Sequence, residues 1–242
     1  MRFITDIINF ILPPRCYFCG KVLNEDKGLC DDCISKIDFL NKAICHKCGE
    51  PLFDCLESNS PKMLCGNCLK TKNKTIFRMM RSAYIYDDFS KKLILDFKFY
   101  DKPDLACILA KMLYVAGKDI FAEGIDLIIP VPLHYTRLIK RRYNQSSLLA
   151  KELGKLTSVD VDYKNLIKRK MTKPQVECSG NERLNNLKDA FYIKNADFIK
   201  GKRILLVDDV LTTGSTLNEC AKVIKTAKPK SIDALTIARS IR

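Results

Sequence analysis

Eight cysteines near the N-terminus stand in four C-x-x-C pairs: Cys16/Cys19, Cys30/Cys33, Cys45/Cys48 and Cys65/Cys68. Two intervening residues let one tight turn aim both thiolates at a single tetrahedral ion, and two such turns complete a closed four-thiolate site. The 16 residues between Cys48 and Cys65 match a zinc-ribbon interval, and the 10 between Cys19 and Cys30 make a tighter pair of knuckles. Two structural Zn²⁺ sites are therefore expected, with sequential grouping of the tetrads preferred to an interleaved one. A disulfide framework ranks below this, because no secretory signal is evident, and four pairs in series argue against a single redox C-x-x-C. Gly20, Gly49 and Gly66 are expected to supply positive φ where the chain folds back. Cys55 and His46 are read as a loop thiol and a knuckle side chain.

A closed thiolate site has no open coordination position, so these zincs are expected to hold the fold and perform no chemistry. The segment is poor in aliphatic residues, and metal supplies the missing folding free energy. Residues 14–72 are assigned to this double ribbon. Before them, residues 1–13 read as an amphipathic helix, with Phe3, Ile7, Phe10 and Ile11 on one face; Asp6 interrupts the apolar run as no signal peptide would. No stretch approaches the ~20 apolar residues of a membrane span, and the expected location is the cytoplasm.

From about Arg78 the pattern changes to apolar strands alternating with amphipathic helices, which predicts one α/β domain over 78–242: a parallel sheet flanked by helices. Strands are predicted over 82–86, 126–131 and 203–207, and helices over 89–99, 104–121 and 217–227. The runs DLIIPV and RILLV are continuously apolar, as strands covered on both faces should be. In such sheets ligands sit beyond the carboxyl ends of the strands.

At one such end lies the sequence ILLVDDVLTTGST, residues 204–216. A strand delivers Asp208 and Asp209, and a turn rich in hydroxyls and containing Gly214 leads into a helix. Free amides at the helix start, with the hydroxyls of Thr212, Thr213, Ser215 and Thr216, suit a phosphate. The paired carboxylates suit vicinal hydroxyls a few ångströms away, and together they describe a sugar phosphate. Neither a P-loop nor a dinucleotide fingerprint is present. The formal charge of +14 attracts an anion, and residues 134–183, with 12 Lys/Arg against 5 Asp/Glu, carry half of it.

The 204–216 segment resembles the 5-phosphoribosyl-1-pyrophosphate (PRPP) motif of type I phosphoribosyltransferases. That resemblance implies that Asp208 and Asp209 bind the ribose hydroxyls, and that Thr212, Thr213, Gly214, Ser215 and Thr216 bind the 5′-phosphate, with Mg²⁺ accompanying PRPP. Taken with the four C-x-x-C pairs, Pro130-Val-Pro132-Leu-His134, Arg141-Arg-Tyr-Asn-Gln145, Gln175, Arg183 and Asn186-Leu-Lys-Asp-Ala-Phe191, the chain is similar to the ComF (ComFC, GntX-like) family. The similarity implies that the loop holding Pro132 and Leu133 faces pyrophosphate. It also implies that residues 168–183 form a flap, with Arg137, Arg141, Arg142, Lys168, Arg169 and Lys170 as candidate clamps, which suits the negative charge that develops on departing pyrophosphate. Relatives usually read Arg-Gly-Phe-Asn-Gln where this chain has Arg142 for the glycine, so a differently shaped loop is expected there. The family association with natural transformation implies single-stranded DNA, and competence helicases or DNA-processing proteins, as partners. Tyr135 and Tyr143 are candidate base platforms. The rival reading is an ordinary phosphoribosyltransferase in nucleotide salvage or amine transfer.

Overall fold

The computed structural model describes residues 13–24, 28–41, 43–52, 62–71, 75–99, 104–169 and 190–241. Residues 1–12 of the helix predicted over 1–13, the 170–183 part of the flap with Lys170, Gln175 and Arg183, and Cys55 lie outside them. Four parallel strands form the main sheet, in the order β1 (Met80–Ile85), β6 (Ser231–Arg239), β5 (Arg203–Leu211) and β2 (Leu127–Pro130). A two-stranded antiparallel hairpin of β3 (Leu166–Lys168) and β4 (Phe191–Ile193) stands apart.

The central strands are apolar on both faces because both are covered. On one side Leu205, Val207, Leu235 and Ile237 pack with Leu109, Leu113, Leu149 and Leu153, from α4 (Leu105–Ala116) and α7 (Gln145–Thr157). On the other, Ile204, Leu206 and Ala234 pack against Leu217, Cys220, Ala221 and Ile224 of α8 (Ser215–Thr226). α3 (Ser90–Phe99) and α6 (Tyr135–Arg141) follow β1 and β2 at the carboxyl end of the sheet.

Both outer strands are capped. The segment 38–40 of the cysteine-rich region pairs with β1, where Leu40 N–H donates to Ala83 O (3.0 Å) and Ile85 N–H to Asp38 O (2.9 Å). At the other end Ile128 N–H donates to Asp160 O and Asp162 N–H to Ile128 O, each at 2.9 Å. Among the described residues, neither outer strand of the main sheet is left wholly unpaired to template another strand.

Three expectations change in detail. The helix predicted over 104–121 breaks into α4 and α5 (Lys118–Ala122) at Gly117, where a Cβ would come within 2.8 Å of Leu235 Cδ1. β5 continues four residues beyond its predicted end, through the acidic pair to Leu211, because β6 continues alongside it to Arg239. Gly20 and Gly49 take positive φ as expected, but Gly66 does not: it begins α2 (Gly66–Lys70), and that knuckle closes by a helical turn.

Candidate functional site

The cysteines gather into two tetrads, Cys16/Cys19/Cys30/Cys33 and Cys45/Cys48/Cys65/Cys68, with the four sulfurs of each within 4.8 Å of one another. A tetrahedron with ~2.3 Å zinc–sulfur bonds has edges of about 3.8 Å. Cys19 and Cys30 Sγ are 3.7 Å apart, and Cys48 and Cys65 Sγ are 3.5 Å apart. The residues fit structural Zn²⁺, grouped sequentially. Cys16, whose sulfur accepts the Cys30 amide at 3.4 Å, is buried, as are Cys30, Cys33, Cys45, Cys65 and Cys68. The hydrogen bond from Cys48 holds Cys45 down at about 4, while the same contact and burial push Cys48 up.

The second tetrad is seated on the sheet through the Cys45/Cys48 turn. Met80 N–H donates to Lys47 O (2.8 Å), and a Cβ on Gly49 would lie 2.6 Å from Met80 O. Buried Arg81 reaches His46 O (2.8 Å) and Asp119 (2.5 Å), and Arg239 donates to Cys48 O and pairs with Glu50. His46 thus serves through its backbone carbonyl. Cys45, Cys65 and Cys68 form their own small cluster with Cys48, Leu52 and Leu64.

At the carboxyl end of the sheet, β5 presents the two acids. Asp208 Oδ1 accepts from Ser146 Oγ (3.0 Å) and from the Asp209 amide (2.9 Å). Burial, then the neighbouring Asp209 charge, push the Asp208 carboxyl up to about 7. Asp209 pairs with Lys98 at 2.9 Å, both side chains more than four-fifths buried. The loop after β5 turns at Gly214 (φ 74°), Thr213 and Ser215 hydroxyls lie 2.7 Å apart, and Asn218 N–H donates to Gly214 O (2.8 Å). At the start of α8 the Ser215 N–H donates to Thr213 Oγ1 (3.4 Å). Thr212 is exposed, Thr213 and Thr216 are half-buried and Ser215 is buried.

Neither Lys98 nor Ser146 was singled out from the sequence. Both arrive through the 141–145 segment. Tyr143 OH donates to Phe97 O (2.7 Å) and Gln145 Nε2 to Lys98 O (3.3 Å), which ties the end of α3 to the site. Asn144 caps α7 by accepting the Ser146 amide (3.1 Å) and donates to Val131 O (3.0 Å). The apolar face of α3 and the hydroxyl after Asn144-Gln145 were the available signals. Tyr143 is half-buried against Phe97, whereas Tyr135 is exposed.

Pro132 and Leu133 lie half-buried in the loop between β2 and α6. Arg141 Nη1 donates to Gln145 Oε1 (3.3 Å). At the position where relatives usually have glycine, Arg142 takes φ 64° as the C-cap of α6, the left-handed conformation that glycine favours. The side chain of Arg137 lies outside the described residues. Lys168 and Arg169 stand at the root of the hairpin, their cations 5.3 Å and 4.9 Å from the ring centroids of Phe191 and Tyr192. No helix among the described residues is long and apolar enough to cross a membrane.

This architecture is a phosphoribosyltransferase-type α/β domain preceded by a double zinc ribbon. Residues 74–241 match the phosphoribosyl transferase domain family, and residues 7–69 match the double zinc ribbon domain family. Competence protein F of Haemophilus influenzae is 33% identical over 93% of this chain and 97% of its own length. DNA utilization protein YhgH of Shigella flexneri is 29% identical (95% and 99%), and competence protein ComFC of Bacillus subtilis 26% identical (90% and 87%). The chain belongs to the competence protein F (ComF) family.

Proposed function

We propose that the carboxyl end of the sheet binds PRPP, or a related ribose phosphate, together with Mg²⁺, and that the protein uses this site while handling single-stranded DNA in the cytoplasm. The observation that carries the ribose-phosphate reading is Asp208-Asp209 in the carboxyl-terminal half of β5, followed after Val210 and Leu211 by the 212–216 turn into α8. On this reading the ribose hydroxyls donate to the two carboxylates. The phosphate accepts from amides and hydroxyls of Thr212, Thr213, Gly214, Ser215 and Thr216. Pro132, Leu133, Arg141 and Arg142 face the pyrophosphate, with Lys168 at the root of the hairpin as a further cation.

Hard carboxylate oxygens and a diphosphate are the donors that Mg²⁺ prefers, so Asp208 and Asp209 with the ligand's phosphates fit the ion. It would supply charge neutralisation for pyrophosphate. Lys98 pairs with Asp209 and orients it, and Ser146 orients Asp208. The ribbon, 14–72, is structural and the ligand unit is 78–242. The DNA reading draws on the names of the relatives and on the +14 charge; competence helicases and DNA-processing proteins are the partners it implies.

The test is thermal unfolding with PRPP and Mg²⁺. The ligand should raise Tm of the intact protein, and Asp208→Ala with Asp209→Ala should abolish the shift. An undiminished shift in the double variant would put the ligand elsewhere.

A further inference from the structure

The basic residues left over by the candidate site are not spread evenly. Many collect around the amino end of the main sheet, at the far end of α8 from Gly214. Here two turns are stitched together: Gly201 N–H donates to Lys228 O (3.0 Å) and Lys230 N–H to Lys202 O (2.9 Å). Lys200, Lys225 and Lys228 stand exposed, with no ion pair among the described residues. Lys202 lies on the ring of Phe198, its Nζ 3.7 Å from the centroid, and that ring is 41% exposed. The patch continues along α8 into an open cleft of about 400 Å³, lined among others by Arg169, Phe191, Tyr192, Glu219 and Lys222. In it the Arg169 guanidinium stands 4.9 Å from the Tyr192 ring. Of the described acids nearby, Glu219 is taken by Lys222 at 2.5 Å, Asp126 by Arg203 at 2.5 Å and Glu123 by Arg78 at 3.4 Å, while Asp197 stands exposed.

We infer that this face is the surface on which the protein holds single-stranded nucleic acid. The inference rests on the reading above that the chain handles single-stranded DNA, and adds where it does so. Unpaired lysines around two joined turns offer phosphates a row of contacts that release counterions. An exposed phenylalanine and a tyrosine, each beside a cation, offer π-surfaces for unpaired bases. A duplex hides its base faces, so rings interleaved with cations favour a single strand. The sheet ends separate this face from the candidate ligand site: Asp208 lies five strand residues beyond Arg203, ~17 Å at ~3.3 Å per residue. One molecule can therefore hold both ligands.

The test is fluorescence anisotropy of a labelled mixed-sequence single-stranded oligonucleotide, titrated at several salt concentrations with the zinc-loaded full chain. Lys200→Glu/Lys225→Glu/Lys228→Glu should weaken binding at least tenfold at moderate salt. It should also flatten the log–log salt slope by about 2, since each phosphate contact contributes roughly −0.7. Phe198→Ala should weaken binding roughly fivefold with the slope unchanged. Asp208→Ala/Asp209→Ala should bind the oligonucleotide as the parent does, and PRPP with Mg²⁺ should not displace it. If melting shows that the triple reversal fails to fold, the Lys→Gln triple should give the same ordering, smaller in size. A folded triple variant that binds like the parent overturns the placement. A parent chain that does not bind at low salt defeats the DNA reading itself, while the Tm test of PRPP stands apart. Vesicles of anionic phospholipid that bind the parent but not the triple variant, with no oligonucleotide bound, would assign the face to a membrane surface and overturn the inference.

Discussion

The ribbon and the α/β domain solve the same problem with different means. In the ribbon's second half the small apolar cluster is made largely of metal ligands, Cys45, Cys48, Cys65 and Cys68, with Leu52 and Leu64 beside them. In the α/β domain the two faces of the sheet are packed with leucine, isoleucine and valine. A region whose interior is its metal site keeps its fold only while the metal is bound; a region with an apolar interior tolerates a costly polar group inside it. Asp208 is such a group.

Metal removal tests this contrast with the largest effect. Structural zinc in small domains contributes ~10–16 kcal/mol of apparent binding free energy. Metal analysis should return two zincs per chain. Chelation should make 14–72 protease-sensitive while 78–242 keeps a cooperative melt. A ribbon that stays resistant after chelation, or a chain with one zinc or none, would break the comparison.

The second effect is smaller and has a pH signature. Asp208 is raised by burial from the ordinary carboxylate range to about 7, so its ionisation opposes folding. Stability on its account is greatest below pH 4, falls between about pH 4 and 7, and is flat above. Asp208→Asn should therefore be as stable as the parent near pH 4 and more stable at pH 8, by on the order of 2 kcal/mol. Urea unfolding at the two pH values measures it, and a difference that shrinks as pH rises would reverse the sign of the argument.

The smallest effect sharpens what the apolar domain tolerates in its backbone. Arg142 holds φ 64° without glycine's freedom. Arg142→Gly should stabilise by about 1 kcal/mol, the usual penalty for a side chain in the left-handed region. A loss of stability on this change would mean that the arginine side chain contributes more than its backbone costs.

These cases also separate what the chain's order of residues reveals from what it hides. The tetrads are legible because each C-x-x-C is local, and the turn from β5 into α8 is legible because acids, hydroxyls and glycine lie within nine positions. Lys98 is not, because it lies 111 positions before Asp209 and reaches it only once Tyr143 and Gln145 have fixed the end of α3. Gly117 is a visible breaker, but its partner Leu235 belongs to the last strand. Arg142 shows the converse: absence of glycine from the sequence did not mean absence of the turn.

The pairing of 38–40 with β1 also has a consequence in time. During synthesis the ribbon and β1 leave the ribosome early, while β6, which completes the other edge of β1, is the final strand, with Ser82 and Thr236 hydroxyls meeting at 2.6 Å across 154 positions. Non-local strand pairing is slow, and unpaired edges are exposed to wrong partners while it waits. A metal-loaded ribbon can close one side of β1 before most of the domain has been made. For a nascent chain, zinc is then a chaperone carried in its own sequence: half of the exposure of its first strand ends about 150 residues before the fold is finished.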